Sequence, residues 1–276
     1  MGILKSSFPD GKLIGFEVDP AALQIARTNL SPYSSRTLLI QDSYVNISEY
    51  ARELGLIRIM GILIDLGASS IQLDTPERGF SFRHEAPLDM RFNPESQLTA
   101  YDVVNNYPEK ELAVLIKNFG EERNSNRIAR EIVFNRPVRT TKQLAEIIEK
   151  VVKQRPKQYG QFQRNPATRT FQAIRIAVNN ELQNLKEVLP QSVNLLEKKG
   201  RLAVISFHSL EDRIVKRFFR CESTDCICPP KQPICTCGHT ASIKLLNRSP
   251  IVPAQEEIAQ NPRSRSARLR IVEKII

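Results

Sequence analysis

The chain has 276 residues, 41% of them hydrophobic, and 40 Lys and Arg against 30 Asp and Glu give it a formal charge of +10. That length and apolar content suit one large domain or two smaller ones and exclude a disordered tail, while no apolar run approaches the roughly 18 residues that a bilayer-spanning helix needs. The basic balance favours a polyanionic partner, nucleic acid above all, through counterion release, although a merely soluble basic protein would carry the same charge.

The opening, Met1-Gly-Ile-Leu-Lys-Ser-Ser-Phe-Pro-Asp-Gly, lacks the apolar core of a secretory signal, so a cytoplasmic location without membrane attachment is expected. It reads as the end of a helix with an exit turn at Pro9-Asp10-Gly11. Lys12 to Val18 then reads as a strand, and Asp19-Pro20 supplies an N-cap and a first-turn proline for a helix through Leu30. Glu17 sits at the carboxyl end of that strand, where nucleotide-binding folds hydrogen-bond ribose hydroxyls. Thr37 to Ile40 is the next strand, and Gln41-Asp42-Ser43-Tyr44 leaves it with a carboxylate and a ring suited to flank an adenine. Ile62 to Ile64 is a short, β-branched run that reads as a third, buried strand. Asp65 ends it, Gly67, Ser69 and Ser70 turn the backbone, and Gln72 and Asp74 follow. In open α/β sheets such a position faces the ligand crevice, which points Asp65 and Gln72 into a site; an ordinary strand exit with a solvated Asp is the plain alternative. Three successive strand ends bearing acids form the pattern of an adenosyl-cofactor fold.

From Arg83 the strand pattern stops. Ala100 to Val104, Glu109 to Phe119, Asn126 to Phe134 and Gln143 to Val152 carry apolar residues at helical spacing, with Leu112, Leu115, Ile116 and Phe119 on one face and Leu144, Ile147, Ile148 and Val151 on another. This stretch is expected to be a helical insertion. Arg123, Arg127, Arg130, Arg136, Arg139, Lys142, Lys150, Lys153, Arg155, Lys157 and Arg164 make it basic, as a nucleic-acid face or a solvated helix surface would be. A long helix follows from Asn165 through Leu182, with Thr168, Arg169 and Arg175 as further RNA candidates. Leu185 to Leu196 makes another helix, and Lys198-Lys199-Gly200 ends it before a strand from Arg201 to Phe207. His208 at that strand's end is more often a structural hydrogen-bonder than a base. Glu211-Asp212 then open a helix carrying Ile214, Val215, Phe218 and Phe219.

All five cysteines lie between Cys221 and Cys237. Cys226-x-Cys228 and Cys235-x-Cys237, separated by a Pro-rich turn and followed by His239, could supply four thiolates to one Zn²⁺. The usual Cys-x-x-Cys spacing is absent, and a reduced, cysteine-rich surface loop is the other reading. The chain closes with a basic turn and a final strand from Ala267 to Ile271.

Seven blocks carry a resemblance: Asp65-Leu-Gly-Ala-Ser-Ser-Ile-Gln-Leu-Asp, Pro76-Glu-Arg-Gly-Phe-Ser-Phe, Pro87-Leu-Asp-Met-Arg, Gly120-Glu-Glu-Arg, Pro166-Ala-Thr-Arg-Thr-Phe-Gln-Ala-Ile-Arg, Ile205-Ser-Phe-His-Ser-Leu-Glu-Asp-Arg-Ile-Val-Lys and Asn261-Pro-Arg-Ser-Arg-Ser-Ala-Arg-Leu-Arg. In this order and at this length they resemble the bacterial 16S ribosomal RNA cytosine-N4 methyltransferases, the ribosomal RNA small subunit methyltransferase H family. The resemblance implies an α/β, Rossmann-like S-adenosylmethionine-dependent methyltransferase sheet in two parts, residues 1–82 and 185–276, with a helical, RNA-recognising insertion at 83–184 and a Cys-rich loop at 221–239. It implies S-adenosylmethionine as methyl donor and, as acceptor, the N4 amine of a cytidine in the decoding centre of 16S ribosomal RNA, within the small ribosomal subunit. A homodimer is left open. It implies further that Glu17, Tyr44, Asp65 and Gln72 line the cofactor site, and Asp65 is the first choice for the group that orients the acceptor amine. Glu17 and Tyr44 stand where Asp and Phe are common in the family, and Asn165 where His is.

The family places a first strand and a Gly-x-Gly-Gly-His turn ahead of Lys12, and this sequence contains neither. That strand would lie between those of Glu17 and Asp65, so its loss is expected to leave two unpaired edges roughly 10 Å apart, with weakened cofactor binding and stability. A catalytically inactive RNA-binding remnant is the alternative reading on this ground, and a small-molecule methyltransferase is disfavoured by the charge.

Overall fold

The computed structural model describes residues 1–56, 58–152, 165–229, 232 and 234–276. The basic residues Lys153, Arg155, Lys157 and Arg164 lie outside the described residues. The strands are β1 (Leu13–Phe16), β2 (Thr37–Ile40), β3 (Ile59–Asp65), β4 (Leu196–Ser206), β5 (Ile243–Leu245) and β6 (Arg268–Lys274). The α-helices are α1 (Gly2–Ser6), α2 (Pro20–Leu30), α3 (Ile47–Glu53), α4 (Ser70–Asp74), α5 (Ala100–Asn106), α6 (Glu109–Gly120), α7 (Ser125–Phe134), α8 (Thr141–Val151), α9 (Ala167–Asn179), α10 (Glu181–Leu195), α11 (Ser209–Glu222) and α12 (Gln255–Gln260). The chain divides into two compact units, one of Met1–Asp42 and Ala68–Glu181, the other of Ser43–Gly67 and Leu182–Ile276.

In the first unit β1 and β2 pair in parallel from Leu13↔Thr37 to Phe16↔Ile40, and α2 connects them. Asp19 starts α2 as an N-cap, accepting a hydrogen bond from the Ala21 N–H at 3.0 Å. Beyond the irregular stretch at residues 79–99, helices α5 to α9 make up most of the remaining described residues of this unit. Isolated helices of about 10 to 13 residues are marginal in water, so α6 to α9 depend on their apolar faces. Leu112, Ile116, Ile128, Ile132, Leu144 and Ile148 are fully buried in one cluster, and burying each such side chain contributes about 1.5–3 kcal/mol relative to leaving it exposed. Capping boxes at Thr99 and Thr140 fix where α5 and α8 begin. The helix expected from Asn165 through Leu182 is interrupted: Asn180 is left-handed (φ 51°), ends α9, and lets α10 start anew.

In the second unit a four-stranded sheet has the order β3-β4-β6-β5. β3 and β4 are parallel, with Asp65 opposite Ile205, and β4 and β6 are antiparallel. Its core includes Ile64, Leu66, Leu189, Leu202, Val204 and Val272. The Lys198-Lys199-Gly200 segment lies inside β4, with Lys199 left-handed (φ 71°) where the register to β3 shifts. Among the described residues β1 pairs with β2 alone and β3 with β4 alone, and Met60 and Leu63 of β3 are exposed. One edge of each of these strands therefore carries no ladder hydrogen bonds.

Candidate functional site

Two strand ends carry the candidate chemistry, one in each unit. At the end of β1, the Glu17 N–H donates to Ile40 O at 3.1 Å, and the Glu17 carboxylate accepts from the Asp19 N–H at 2.9 Å through Oε1. The Val18 backbone N–H lies close enough to act on the same carboxylate. Burial pushes the Glu17 carboxyl above its ordinary pKa, and the Asp19 charge adds to the rise against hydrogen bonds that lower it. A half-buried carboxylate at the carboxyl end of a parallel strand has the acceptor chemistry that suits a ribose diol, which offers two O–H donors.

Asp19, two residues on, is fully buried and fully engaged. Besides capping α2, its Oδ2 accepts from Gln72 Nε2 at 3.0 Å and Arg78 Nη1 at 2.5 Å. Burial alone would raise its pKa, but the hydrogen bonds from Gln72, Arg78 and Ala21 outweigh it and hold the carboxyl below the usual range. Gln72 is 3% exposed. Its Oε1 accepts from the Ser69 N–H at 3.0 Å in the capping box that starts α4, so both ends of its amide are used within the protein. Arg78 bridges onward, donating through Nη2 to Arg91 O at 2.7 Å and Phe92 O at 3.0 Å. Gly79 makes that turn feasible: it is left-handed (φ 69°), and a Cβ there would lie 2.3 Å from Pro87 O. The blocks at Pro76 and Pro87 thus fold back onto the first β-α turn. The sequence signal for Asp19 was its cap position alone, and Arg78 was visible only as a member of a motif block.

At the end of β3, Asp65 precedes Gly67, which is left-handed (φ 88°) and lies beside the Phe207 ring. The parallel pairing sets Asp65 next to the end of β4, and the Leu66 N–H donates to Ile205 O at 3.1 Å. From there α11 opens with His208 as N-cap. Glu211 Oε2 accepts from the Phe207 and His208 N–H groups at 2.8 and 3.2 Å, and His208 Nδ1 accepts from the Glu211 N–H at 3.4 Å. His208 therefore serves the helix start, as its structural reading expects. Asp212 is clamped by Arg270 (Nε to Oδ1, 2.7 Å) and Arg268 (Nη1 to Oδ2, 3.1 Å), which outweigh the effect of its burial and keep its carboxyl ionised. That clamp anchors α11 to β6 and so fixes Glu211. Asp65 itself has an open face, but burial of its carboxyl, then the Glu211 charge, raise its pKa. Tyr44, half-buried at the start of a short 3-10 turn (Tyr44–Asn46), packs against the core of the same unit.

The basic helices separate by role. Arg136 donates to Val104 O and Tyr107 O at 2.8 and 2.6 Å, capping the end of α5, and Arg175 grips Glu181 with two bonds of 2.8 and 2.9 Å. Arg169 lies against Glu121 O and the Glu122 carboxylate. Arg123, Arg127, Arg130, Arg139, Lys142 and Lys150 are exposed, and of these Arg130 stands 3.9 Å from Glu109. No described helix is long and apolar enough to cross a membrane.

The model of the MraW methylase family matches residues 2–275. The chain belongs to that family. Its α/β fold and its standing as a methyltransferase go with membership, in agreement with the resemblance carried by the seven blocks. Three relatives are each called ribosomal RNA small subunit methyltransferase H. The one from Dehalococcoides mccartyi (strain BAV1) is 50% identical over 274 residues, 99% of this chain and 77% of its own length. That from Geobacter sp. (strain M21) is 49% identical over 276 residues, and that from Clostridioides difficile (strain 630) 45% identical over 276, each across 99% of this chain and 88% of its own length.

Proposed function

We propose that this methylase transfers a methyl group from S-adenosylmethionine to the N4 amine of a cytidine in the decoding centre of 16S ribosomal RNA, acting in the cytoplasm on the small ribosomal subunit. The relatives' shared name and the +10 charge support ribosomal RNA as substrate. The observation that carries the chemistry is Asp65: a carboxylate at the end of a parallel strand, raised in pKa by burial and by Glu211, and without the cation that holds Asp19 ionised.

When bound, S-adenosylmethionine supplies a methyl carbon on a sulfonium that is open to in-line attack. Glu17 would accept from the ribose hydroxyls and Tyr44 would lay its ring against the adenine, while Gln72 acts by fixing the start of α4 through Ser69 and Asp19. Asp65 accepts a hydrogen bond from the N4 amine and turns the nitrogen lone pair toward the methyl carbon. The Asp65 carboxylate would also take up the proton that the N4 amine must shed once it has accepted the methyl group. A raised pKa makes Asp65 a better acceptor for that proton than an ordinary surface aspartate. The cytosine must leave its stack to reach the site, and the exposed arginines and lysines of the 83–184 insertion, from Arg123 to Lys150, hold the flanking phosphates.

The test is labelled-methyl transfer to small subunits that lack the modification. Asp65→Asn is expected to lose about 10²- to 10⁴-fold in rate, the span of a lost acid-base group, with an unchanged circular dichroism spectrum. Wild-type activity in that variant would overturn the assignment.

A further inference from the structure

The described residues of the loop between α11 and β5 form neither helix nor strand and no apolar core. Its two isoleucines, Ile227 and Ile234, are 50% and 73% exposed. Nevertheless four of its cysteines converge. The sulfur separations are 3.5 Å for Cys226 and Cys235, 3.6 Å for Cys235 and Cys237, 3.9 Å for Cys226 and Cys237, and 4.0 Å for Cys228 and Cys235. All four Sγ atoms lie within 4.8 Å of one another. None is within disulfide distance, and all are free. Four thiolates placed 2.3 Å from a tetrahedral Zn²⁺ stand about 3.75 Å apart, and these four separations bracket that value.

The remaining candidates nearby are otherwise occupied: His239 Nδ1 meets Thr224 O at 2.9 Å, and Glu222 accepts from Ser242 Oγ at 2.9 Å. These two contacts tie the loop's ends together beside Cys221, outside the sulfur cluster.

We propose that Cys226, Cys228, Cys235 and Cys237 form a closed, structural four-thiolate site for one Zn²⁺ that staples this excursion between α11 and β5. Each thiol releases its proton to solvent on binding, and with all four positions filled by sulfur no open position remains for a substrate or a water. The ion takes the place of the hydrophobic core that the loop lacks.

Full-length protein purified without chelator or metal-affinity resin should carry about one equivalent of zinc by emission spectrometry. The double variant Cys226→Ser, Cys237→Ser should lose at least fivefold of that content, while Cys221→Ser keeps it. Because a misfolded variant would also lose metal, the wild-type chain provides the second measurement. Of its five thiols, Cys221 alone should react rapidly with a disulfide reagent until a chelator is added, and Zn²⁺ returned to the stripped protein should restore that protection. Below about 0.2 equivalent of metal with all five thiols reactive, two disulfides by mass, or iron in place of zinc would each overturn the proposal.

Discussion

The strand ends at Asp19 and Asp65 hold the same kind of side chain at comparable places in α/β architecture, and their environments push the two carboxyls in opposite directions. Asp19 is buried, capped by an amide and paired with a guanidinium, so its charge is fixed and its role is to hold the chain in place. Asp65 has an open face, but desolvation of its carboxyl and the Glu211 charge disfavour its charged form, and among the described residues no cation pairs with it. Pairs of acids driven apart in this way suit different roles: the ionised member organises structure, and the raised member is the one proposed above to take up a proton. The division between stability and activity should follow that line.

The largest effect on stability is expected at Asp19. Asp19→Ala leaves Arg78, whose side chain is only 17% exposed, without its counter-charge. Removing one partner of a buried ion pair costs about 3–5 kcal/mol, to be read from urea midpoints. A loss below about 1 kcal/mol would mean that Arg78 re-pairs through the carbonyls of Arg91 and Phe92, and the contrast with Asp65 would fail. The same pair predicts a pH dependence. The Asp19 pKa is lowered on folding, so its contribution is full above the unfolded-state value and fades as the pH falls through the lower, folded one. Asp19→Asn should therefore flatten the acid limb of a plot of urea midpoint against pH; an unchanged limb would place the acid sensitivity elsewhere, with Asp212 the next group to test.

A smaller loss, about 1–3 kcal/mol, is expected for Gln72→Ala, which removes one donor from the buried Asp19 carboxylate and the acceptor from the Ser69 N–H. Should Gln72 touch the cofactor directly, this variant would weaken binding of S-adenosylhomocysteine in calorimetry by more than the stability change explains. The smallest effect has the opposite sign. Since folding raises the Asp65 pKa, the charged form destabilises the folded state above that value, and Asp65→Asn removes the penalty. Solvent screening on its open face limits the gain to less than about 1 kcal/mol, while activity is lost. A variant both slower and more stable is the pattern expected of a strained catalytic group, and a destabilised one would argue that Asp65 is structural.

Much of the fold was legible along the chain. The strand at Thr37 to Ile40 ends where its pattern does, Asp19-Pro20 starts α2 as its cap chemistry requires, and the faces of α6 and α8 bury the residues that their spacing selects. β5 was not foreseen, because three residues carry too little periodicity and its pairing with β6 supplies what its sequence lacks. The break at Asn180 was missed for a related reason: its neighbours keep the helical pattern, and only the left-handed backbone ends the helix.

Sequence by itself determined that an acid stands at each of these strand ends, that the helical segment is basic, and that four cysteines come as two close pairs. These follow from residue type and from spacings of a few positions, over which backbone geometry fixes direction. Only the tertiary structure decided which charges are spent. Asp19 meets Gln72 and Arg78 across 53 and 59 residues, Arg136 turns from a nucleic-acid candidate into a helix cap, and among the described residues Asp65 has no counter-charge. Such pairings depend on the path of the intervening loops and on burial that strengthens each charge, neither of which a local pattern encodes.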